Sequence, residues 1–358
     1  MPAILFVDDK AEQLQELTDS VRAEIQDQNV DIRIWIPTAG DDPRRVFEEK
    51  LADDTTLVVT DQDLTGEGQT GLFGSTIVEW CQQRAVPVAD YSRGNVGDLK
   101  KEPDLFEIRV PRAKNAAKFV TGVFRGFAAI NASVAADEDL WNERSPAAVL
   151  ARVVEAPDAE SDFALYAVRL ASASGALTSR VIDAAGPADE PSQKTKRALL
   201  AYIVGHLLLN SVLRYPGPIL SLRALKAYLA TDDAGSSQVL KLFEAARYHG
   251  PFAELDTFHW LSRVDEILEA IIPPDVSTET NGELHRKAVE GSLHVTLAQH
   301  ACPRCNGQNG GFLCPFTNRT VCLLPACSVG SNSWIPQGAR LCRIERDFFD
   351  EWSPILGL

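Results

Sequence analysis

The chain of 358 residues has few cysteines outside its C-terminal end, and long uninterrupted apolar runs are scarce. Its first residues show neither a cationic start nor a long apolar core, so we expect no secretory leader. We also expect no membrane-spanning segment, since about twenty consecutive apolar residues would be needed. Together these absences predict a cytoplasmic protein, in which thiols stay reduced.

Positive charge is scarce as well. There are 35 lysines and arginines against 50 aspartates and glutamates, which gives a formal charge of −15. No basic stripe with interleaved aromatics is visible, and a small group at Arg340, Arg343 and Arg346 is interpreted as solvated surface. Because phosphate contacts dominate affinity for nucleic acid, we expect protein partners rather than nucleic acid as the main partner.

Sequence motifs of common enzyme classes are missing too. There is no Gly-x4-Gly-Lys loop, and Gly66 and Gly68 precede no helix with the glycines of a dinucleotide site. No serine or cysteine lies in a nucleophile motif, and His206, among leucines, is interpreted as a core histidine. We therefore expect a protein that is not an enzyme.

The strongest positive signal is a pair of apolar runs that end at carboxylates. Residues 4–7 lead into Asp8 and Asp9, and residues 57–60 lead into Asp61. Such runs are typical of buried parallel strands, whose carboxyl ends carry the ligand sites of open α/β sheets. Three converging carboxylates favour Mg²⁺, and Asp61 is also a candidate phosphoryl acceptor. The alternative is that Asp8 and Asp9 only cap the first helix.

Residues 1–130 alternate between strand and helix patterns. Helices are predicted over 11–26, from Asp41 or Asp42 to about 52, over 71–83 and over 114–130. Further strands are predicted at 31–36 (an edge strand), 86–89 and 106–110. This alternation predicts right-handed crossovers and a mostly parallel, doubly wound sheet.

This region resembles the receiver domain of the response-regulator family. The features that carry the resemblance are the acidic pair, the single Asp61, Leu64 three positions on, Gly71 after the loop, and Ser92 five residues past Pro87. The resemblance implies a flavodoxin-like sheet with Asp61 as phosphoacceptor and Ser92 as a contact of the phosphoryl group. It also implies Mg²⁺ held by Asp8, Asp9, Asp61 and the Asp63 carbonyl, and a histidine kinase as partner.

One family position departs from the pattern. The family has a lysine before the proline that follows the fifth strand, and here that position is Val110. The nearest cations are Arg109 and Arg112, and Arg109 should point to the opposite face because side chains alternate along a strand. The stretch 93–104 is also short and poor in helical periodicity, which predicts a truncated fourth helix. These departures favour a degenerate receiver over a working phosphorelay module.

Six of the seven cysteines fall near the C-terminus. Cys302 and Cys305 have the spacing of a zinc knuckle, and a β-hairpin is predicted over 310–322. We choose Cys322 and Cys327 as the second ligand pair, with Cys314 and His300 in reserve and Cys342 as a buried thiol. The cluster resembles zinc-ribbon or treble-clef modules and predicts a structural zinc site, since four ligands leave no open position.

The middle of the chain is predicted to be mainly helical. Helices are expected at 196–213, 221–229, 236–248 and 258–272, whereas residues 163–170 fit a strand or a helix. The chain is accordingly divided into a receiver-like domain (1–130), a helical domain (131–280) and a zinc-binding module (281–358).

The first hypothesis is a non-enzymatic signalling or adaptor protein, in a multi-protein bacterial signalling or defence system. The second is a genuine response regulator phosphorylated on Asp61, with the helical and zinc regions as output. A zinc-dependent nucleic-acid binder is the third.

Overall fold

The structure, a computed structural model, describes most of the chain. The described residues are 1–25, 29–40, 42–65, 72–91, 106–111, 115–143, 145–168, 175, 177–179, 192–273, 280–300, 302–305, 310–330 and 333–356. The predictions for Gly71, Ser92, Arg112 and the stretch 93–104 lie outside these residues.

Two compact units make up the fold, and each consists of three separate stretches of chain. The first, here called the sheet unit, comprises Met1–Ala156, Arg169–Asn210 and Gly250–Leu255. The second, called the cysteine unit, comprises Pro157–Val168, Ser211–His249 and Asp256–Leu358.

The sheet unit is built around five parallel strands, in the order β2-β1-β3-β4-β5. They are β1 (Ala3–Val7), β2 (Asp31–Trp35), β3 (Thr55–Thr60), β4 (Val88–Asp90) and β5 (Ile108–Arg109). The predicted parallel α/β sheet is confirmed, and β2 lies at its edge. The register aligns Val7 of β1 with Thr60 of β3, so these two strands end side by side.

Helices separate the strands of this unit. They are α1 (Ala11–Ile25), α2 (Pro43–Lys50), α3 (Gly74–Gln83), α4 (Ala116–Ala136) and α5 (Pro146–Val153). The next helix, α6 (Glu160–Ala167), belongs to the cysteine unit, and α7 (Gln193–Leu207) belongs again to the sheet unit. Asp42 caps α2 by accepting the N–H groups of Arg44 and Arg45 at 3.1 and 3.3 Å, and Pro43 pre-sets its first turn. The predicted helix from residue 196 ends at 207 and continues as a π-helical segment, Leu208–Val212.

Apolar side chains of the sheet form its core. Leu5, Val7 and Val58 pack with Phe47 of α2 and Ile77 of α3, and all five are buried. Full burial of one such side chain contributes roughly 1.5–3 kcal/mol. The unit therefore has a core that holds the carboxyl ends of β1 and β3 in place.

The sequence-based expectation of no membrane-length segment needs one correction. Among the described residues, α4 is long and apolar enough to cross a bilayer, although half of its apolar window is buried in the fold. Gly126 lies at a point of close packing in this helix, because a Cβ there would meet the Phe252 ring at 2.0 Å. Core helices pass the same length and composition test.

The cysteine unit is mainly helical with three short antiparallel strand pairs. Its helices are α6 (Glu160–Ala167), α8 (Leu222–Tyr228), α9 (Ser237–Leu242), α10 (Leu261–Ile271), α11 (Asn281–Leu293) and α12 (Arg346–Leu356). The strand pairs are β6 (Ile219–Leu220) with β7 (His259–Trp260), β8 (Phe312–Leu313) with β9 (Thr320–Val321), and β10 (Ser328–Val329) with β11 (Ile344–Glu345).

Several expectations for this unit are settled by the backbone. The hairpin predicted over 310–322 is confirmed as β8 and β9, with Asn318 in a left-handed turn at φ 55°. Residues 163–167 are helical, and α9 ends at Leu242 instead of continuing to 248, because its carboxyl end is followed by a short 3-10 turn. Helix α11 was not predicted, although Thr280 and Glu283 form its N-terminal capping signal.

Candidate metal centres

Three buried aspartates meet where β1 and β3 end. Asp8, Asp9 and Asp61 each offer a carboxylate oxygen, and these oxygens lie within 4.8 Å of one another. Backbone bonds fix the two segments: the Asp61 N–H donates to Val7 O at 3.0 Å, and the Asp8 N–H donates to Trp35 O at 3.4 Å. The arrangement supplies the hard oxygen ligands that Mg²⁺ prefers.

Burial and mutual repulsion disfavour the charged form of this group. Burial is the main reason that the pKa of Asp8 rises to about 6, and the nearby Asp61 and Asp9 carboxylates raise it further. The Lys10 N–H opposes this by donating to Asp8 Oδ1 at 2.8 Å. The pKa of Asp61 is also raised, chiefly by burial, against the Gln62 N–H donated at 2.7 Å. A divalent cation would offset the charge that burial and repulsion penalise, so the residues fit such an ion.

The start of α3 lies against the end of β3 through a close backbone approach that the sequence did not reveal. The Gly74 N–H donates to Gln62 O at 2.9 Å, and a Cβ at Gly74 would lie 2.4 Å from Asp61 O. Only glycine allows α3 to begin so close to the end of β3. Asp63 accepts the Thr65 N–H and hydroxyl at 3.1 and 2.5 Å, which lowers its pKa.

A fourth carboxylate, Asp90, ends β4 next to β3, and sequence reasoning missed it. Its Oδ1 is buried without a hydrogen-bond partner among the described residues. Burial, followed by the charges of Glu107 and Asp61, raises the pKa of Asp90 to about 6. The signal was present as the run Val88-Ala89-Asp90, another apolar strand that ends at a carboxylate. The carboxyl edge of the sheet is thus more acidic than expected.

Val110, the residue expected from the resemblance to stand where a receiver has its lysine, is apolar. Val110 is 8% exposed, and its N–H donates to Asp90 O at 2.9 Å. Arg109 forms an ion pair with Glu107 at 3.3 Å, with its side chain 41% exposed. Among the described residues of this edge, Arg109 and Lys10 supply positive charge that reaches the aspartates only as a weak opposing influence.

A second group forms at the other end of the sequence. Cys302, Cys305, Cys322 and Cys327 lie close together, with their sulfurs within 4.8 Å of one another, and could hold a metal. The Cys305 and Cys322 sulfurs are 3.8 Å apart. The β8–β9 hairpin separates the two pairs along the chain, and Cys322 follows directly on β9. These are the four cysteines chosen from their spacing.

Burial raises the pKa of two thiols of this group, Cys322 and Cys327. Burial and the neighbouring thiols, including Cys302, raise the pKa of Cys327 well above its ordinary value. The pKa of Cys322 is raised by burial, although the Leu324 N–H donates to its sulfur and lowers it. Since thiolates are the metal-binding form, a bound cation would replace the protons that this crowding favours.

Hydrogen bonds from the start of α12 hold the backbone around the second ligand pair, Cys322 and Cys327. The Arg346 N–H donates to Cys327 O at 2.9 Å, and its guanidinium donates to Pro325 O at 2.9 and 3.0 Å. The Ser328 hydroxyl donates to Cys322 O at 2.6 Å and accepts from Arg343 at 2.7 Å. The ligand loop is thereby tied to the rest of the unit through its backbone.

The reserve candidates lie outside this group. Cys314 is buried, and its N–H donates to Arg319 O at 2.9 Å within the hairpin. His300 Nδ1 lies 2.7 Å from Asp232 Oδ1. Cys342 is buried as expected, and burial raises its pKa strongly. His206 is also fully buried, with its pKa lowered to about 3 by burial, in agreement with a core role.

Comparison with protein families, curated proteins and solved structures finds no match to this chain. The two centres are therefore interpreted from their own geometry and chemistry.

Proposed function

We propose that this chain is a non-enzymatic signalling or adaptor protein, in which a receiver-like sheet binds Mg²⁺ without accepting a phosphoryl group and a structural zinc ion holds the C-terminal end together. The strand order supports the first part, because 2-1-3-4-5 is the order of flavodoxin-like sheets, which place their ligands at the switch point between β1 and β3. Asp8, Asp9 and Asp61 lie at that point.

The observation that carries the proposal is the buried Val110. A phosphoryl group on Asp61 would add negative charge beside Asp8, Asp9 and Asp90, and a cationic side chain from the end of β5 would be needed to offset it. Val110 offers a methyl surface at that place, and Arg109 is engaged with Glu107. The edge therefore suits a cation better than it suits a phosphoryl group.

Zinc at Cys302, Cys305, Cys322 and Cys327 fits a structural role. Four thiolates complete a tetrahedral site and leave no position for water, which is the arrangement of structural rather than catalytic zinc. In this proposal the chain binds other proteins of the same cytoplasmic system. Neither a membrane nor a nucleic acid is its main partner.

Phosphoryl-donor treatment of the full-length protein tests this proposal. The protein is incubated with Mg²⁺ and acetyl phosphate, or with beryllofluoride, and followed by intact mass and tryptophan fluorescence. Trp35, whose carbonyl accepts the Asp8 N–H, lies beside the site and is a suitable reporter. We expect a response to Mg²⁺ alone and no mass increase at Asp61, with D61N as the reference for background modification.

The second candidate is a response regulator with Asp61 as phosphoacceptor. The grouping of Asp8, Asp9 and Asp61 favours it, because that grouping is what the resemblance to the family implies. Acetyl phosphate adding one phosphoryl mass to the wild-type chain, absent from D61N and accompanied by a fluorescence change, would establish this candidate and overturn the first. A V110K variant that gains phosphorylation would instead identify the missing cation as the cause of inactivity.

A further inference from the structure

A cavity of about 360 Å³ in the cysteine unit is lined mainly by cationic and polar side chains. Its lining residues are Arg223, Lys226, Asp232, His300, Pro303, Asn318, Arg319 and Thr320. Three of these are cationic, of which Arg319 is already paired with the buried Glu345, and one is a carboxylate, in a chain whose formal charge is −15. Such a local excess of positive charge in an acidic protein favours an anionic ligand.

Helix α8 forms the first wall of this cavity. Arg223 and Lys226 are three residues apart and so project from the same side of the helix. Neither has a carboxylate partner within 4.0 Å among the residues that the structure describes. The Arg223 charge also acts on Asp256, where it opposes the rise in pKa that desolvation causes. Within the described part of the chain neither side chain is held in an ion pair, so both can turn to a ligand at the cavity.

The hairpin of β8 and β9 forms the second wall and contributes the Arg319 side chain, whose position is fixed by an ion pair. Arg319 is held by Glu345 at 3.1 Å, and Glu345 is itself buried. Asn318 is in a left-handed turn, and Arg319 follows it directly before β9, where its carbonyl accepts the Cys314 N–H at 2.9 Å. On the third side, Asp232 lies 2.7 Å from His300 Nδ1, so the carboxylate in the lining already has a polar partner.

We propose that this cavity binds a phosphate-bearing small molecule. Guanidinium forks and an ammonium group match the geometry and charge of a phosphate, as Arg and Lys do in phosphate sites generally. The volume exceeds that of a lone phosphate and lies at the small end of small-molecule sites, so the ligand carries an organic group as well. The cavity shares Pro303 with the Cys302–Cys305 loop, so the proposal rests on the proposed zinc site for the fold of this wall and is tested on the zinc-loaded protein.

Binding of inorganic phosphate and AMP to the zinc-loaded full-length protein tests this site, by isothermal titration calorimetry and ³¹P line broadening. We expect saturable binding of both probes, tighter for AMP. The double variant R223Q/K226Q should weaken AMP at least tenfold. The matched control K241Q/R263Q removes the same charge from other positions of the same unit and should bind AMP like wild type.

Three outcomes would overturn the proposal. One is the absence of saturable binding of either probe to the wild type, and another is an equal loss of affinity in both double variants, which would indicate general charge attraction. The third is tighter binding of a single-stranded DNA dodecamer than of AMP, with that binding abolished in R223Q/K226Q. This result would assign the cavity to a nucleic-acid backbone. Zinc content and far-UV circular dichroism check that both variants are folded.

Discussion

The two candidate metal centres are built in opposite ways. The aspartate site lies at the edge of a sheet whose own apolar core, including Leu5, Val7 and Val58, is complete without an ion. The cysteine site lies among two-residue strands, and the cluster packed around it consists of the cysteines themselves. A metal at the first site would bind and dissociate while the sheet stays folded. A metal at the second site would itself stabilise the local fold, in place of an apolar core.

Zinc removal is the largest test of this contrast. Chelation, or the variant C322S, should unfold the chain around residues 302–345 while sparing the sheet unit, since structural zinc contributes roughly 10–16 kcal/mol in small zinc modules. Limited proteolysis and metal analysis measure this, with about one zinc per wild-type chain expected. C342A, which changes a buried thiol outside the group, should retain zinc. A chelated protein whose C-terminal region still resists protease would contradict the contrast.

A substitution that leaves a cavity in the apolar core of the sheet unit should destabilise the sheet unit and leave the cysteine unit unchanged. L5A removes a fully buried side chain and should cost about 2–5 kcal/mol of unfolding free energy. Urea denaturation followed by far-UV circular dichroism and total tryptophan emission measures the loss, and zinc content serves as the readout for the cysteine unit. Zinc loss in L5A would show that the two units do not fold independently.

A buried histidine should make the sheet unit sensitive to acid. The folded-state pKa of His206 is lowered to about 3, so the unfolded chain binds a proton below pH 6.5 while the folded chain does not. Stability is therefore lost as the pH falls from about 6.5 towards 3, by about 2 kcal/mol at pH 5. H206L removes this part of the pH dependence, which urea denaturation at pH 7 and pH 5 can measure. An identical pH 7 to pH 5 difference in both proteins would refute the assignment.

The smallest effect is expected at the aspartate site. Mg²⁺ at about a tenfold excess over its dissociation constant should stabilise the sheet unit by about 1.4 kcal/mol. D61N should lose this response and melt higher than wild type without Mg²⁺, because it relieves charge crowding. D63N, which changes an exposed carboxylate bonded to Thr65, should keep the response. Thermal melts with and without MgCl₂ measure these differences. A wild-type melting temperature that does not change on addition of Mg²⁺ would count against the site.

Short-range sequence patterns were sufficient to predict the two strands that end at carboxylates and the group of four cysteines. Apolar runs ending in carboxylates predicted β1 and β3 and the meeting of Asp8, Asp9 and Asp61, because parallel strands bring their carboxyl ends to one edge. Cysteine spacing predicted which four thiols lie together. Both signals are short-range in sequence or follow from one rule of topology.

What the sequence did not reveal depends on contacts between distant segments. Gly74 matters only because α3 begins against the Asp61 backbone, and Asp90 matters only because β4 lies beside β3. Residues 157–168 belong to the cysteine unit because the Tyr166 hydroxyl donates to Tyr215 O at 2.8 Å and the Tyr166 ring fills the space beside Gly338. No periodicity within 157–168 could predict such partners. The predicted three-domain division is a separate matter and stays a prediction.

The interleaving of the two units has a consequence for how this protein can be cut and recombined. Because each unit is assembled from three stretches of chain, no single splice point separates them. A truncated chain ending at residue 280 would lack most of the third stretch of the cysteine unit, leaving the apolar surface of α8 and α10 uncovered. Neither unit can be moved to another protein by a single gene fusion, so a transplanted unit would have to be carried together with the other.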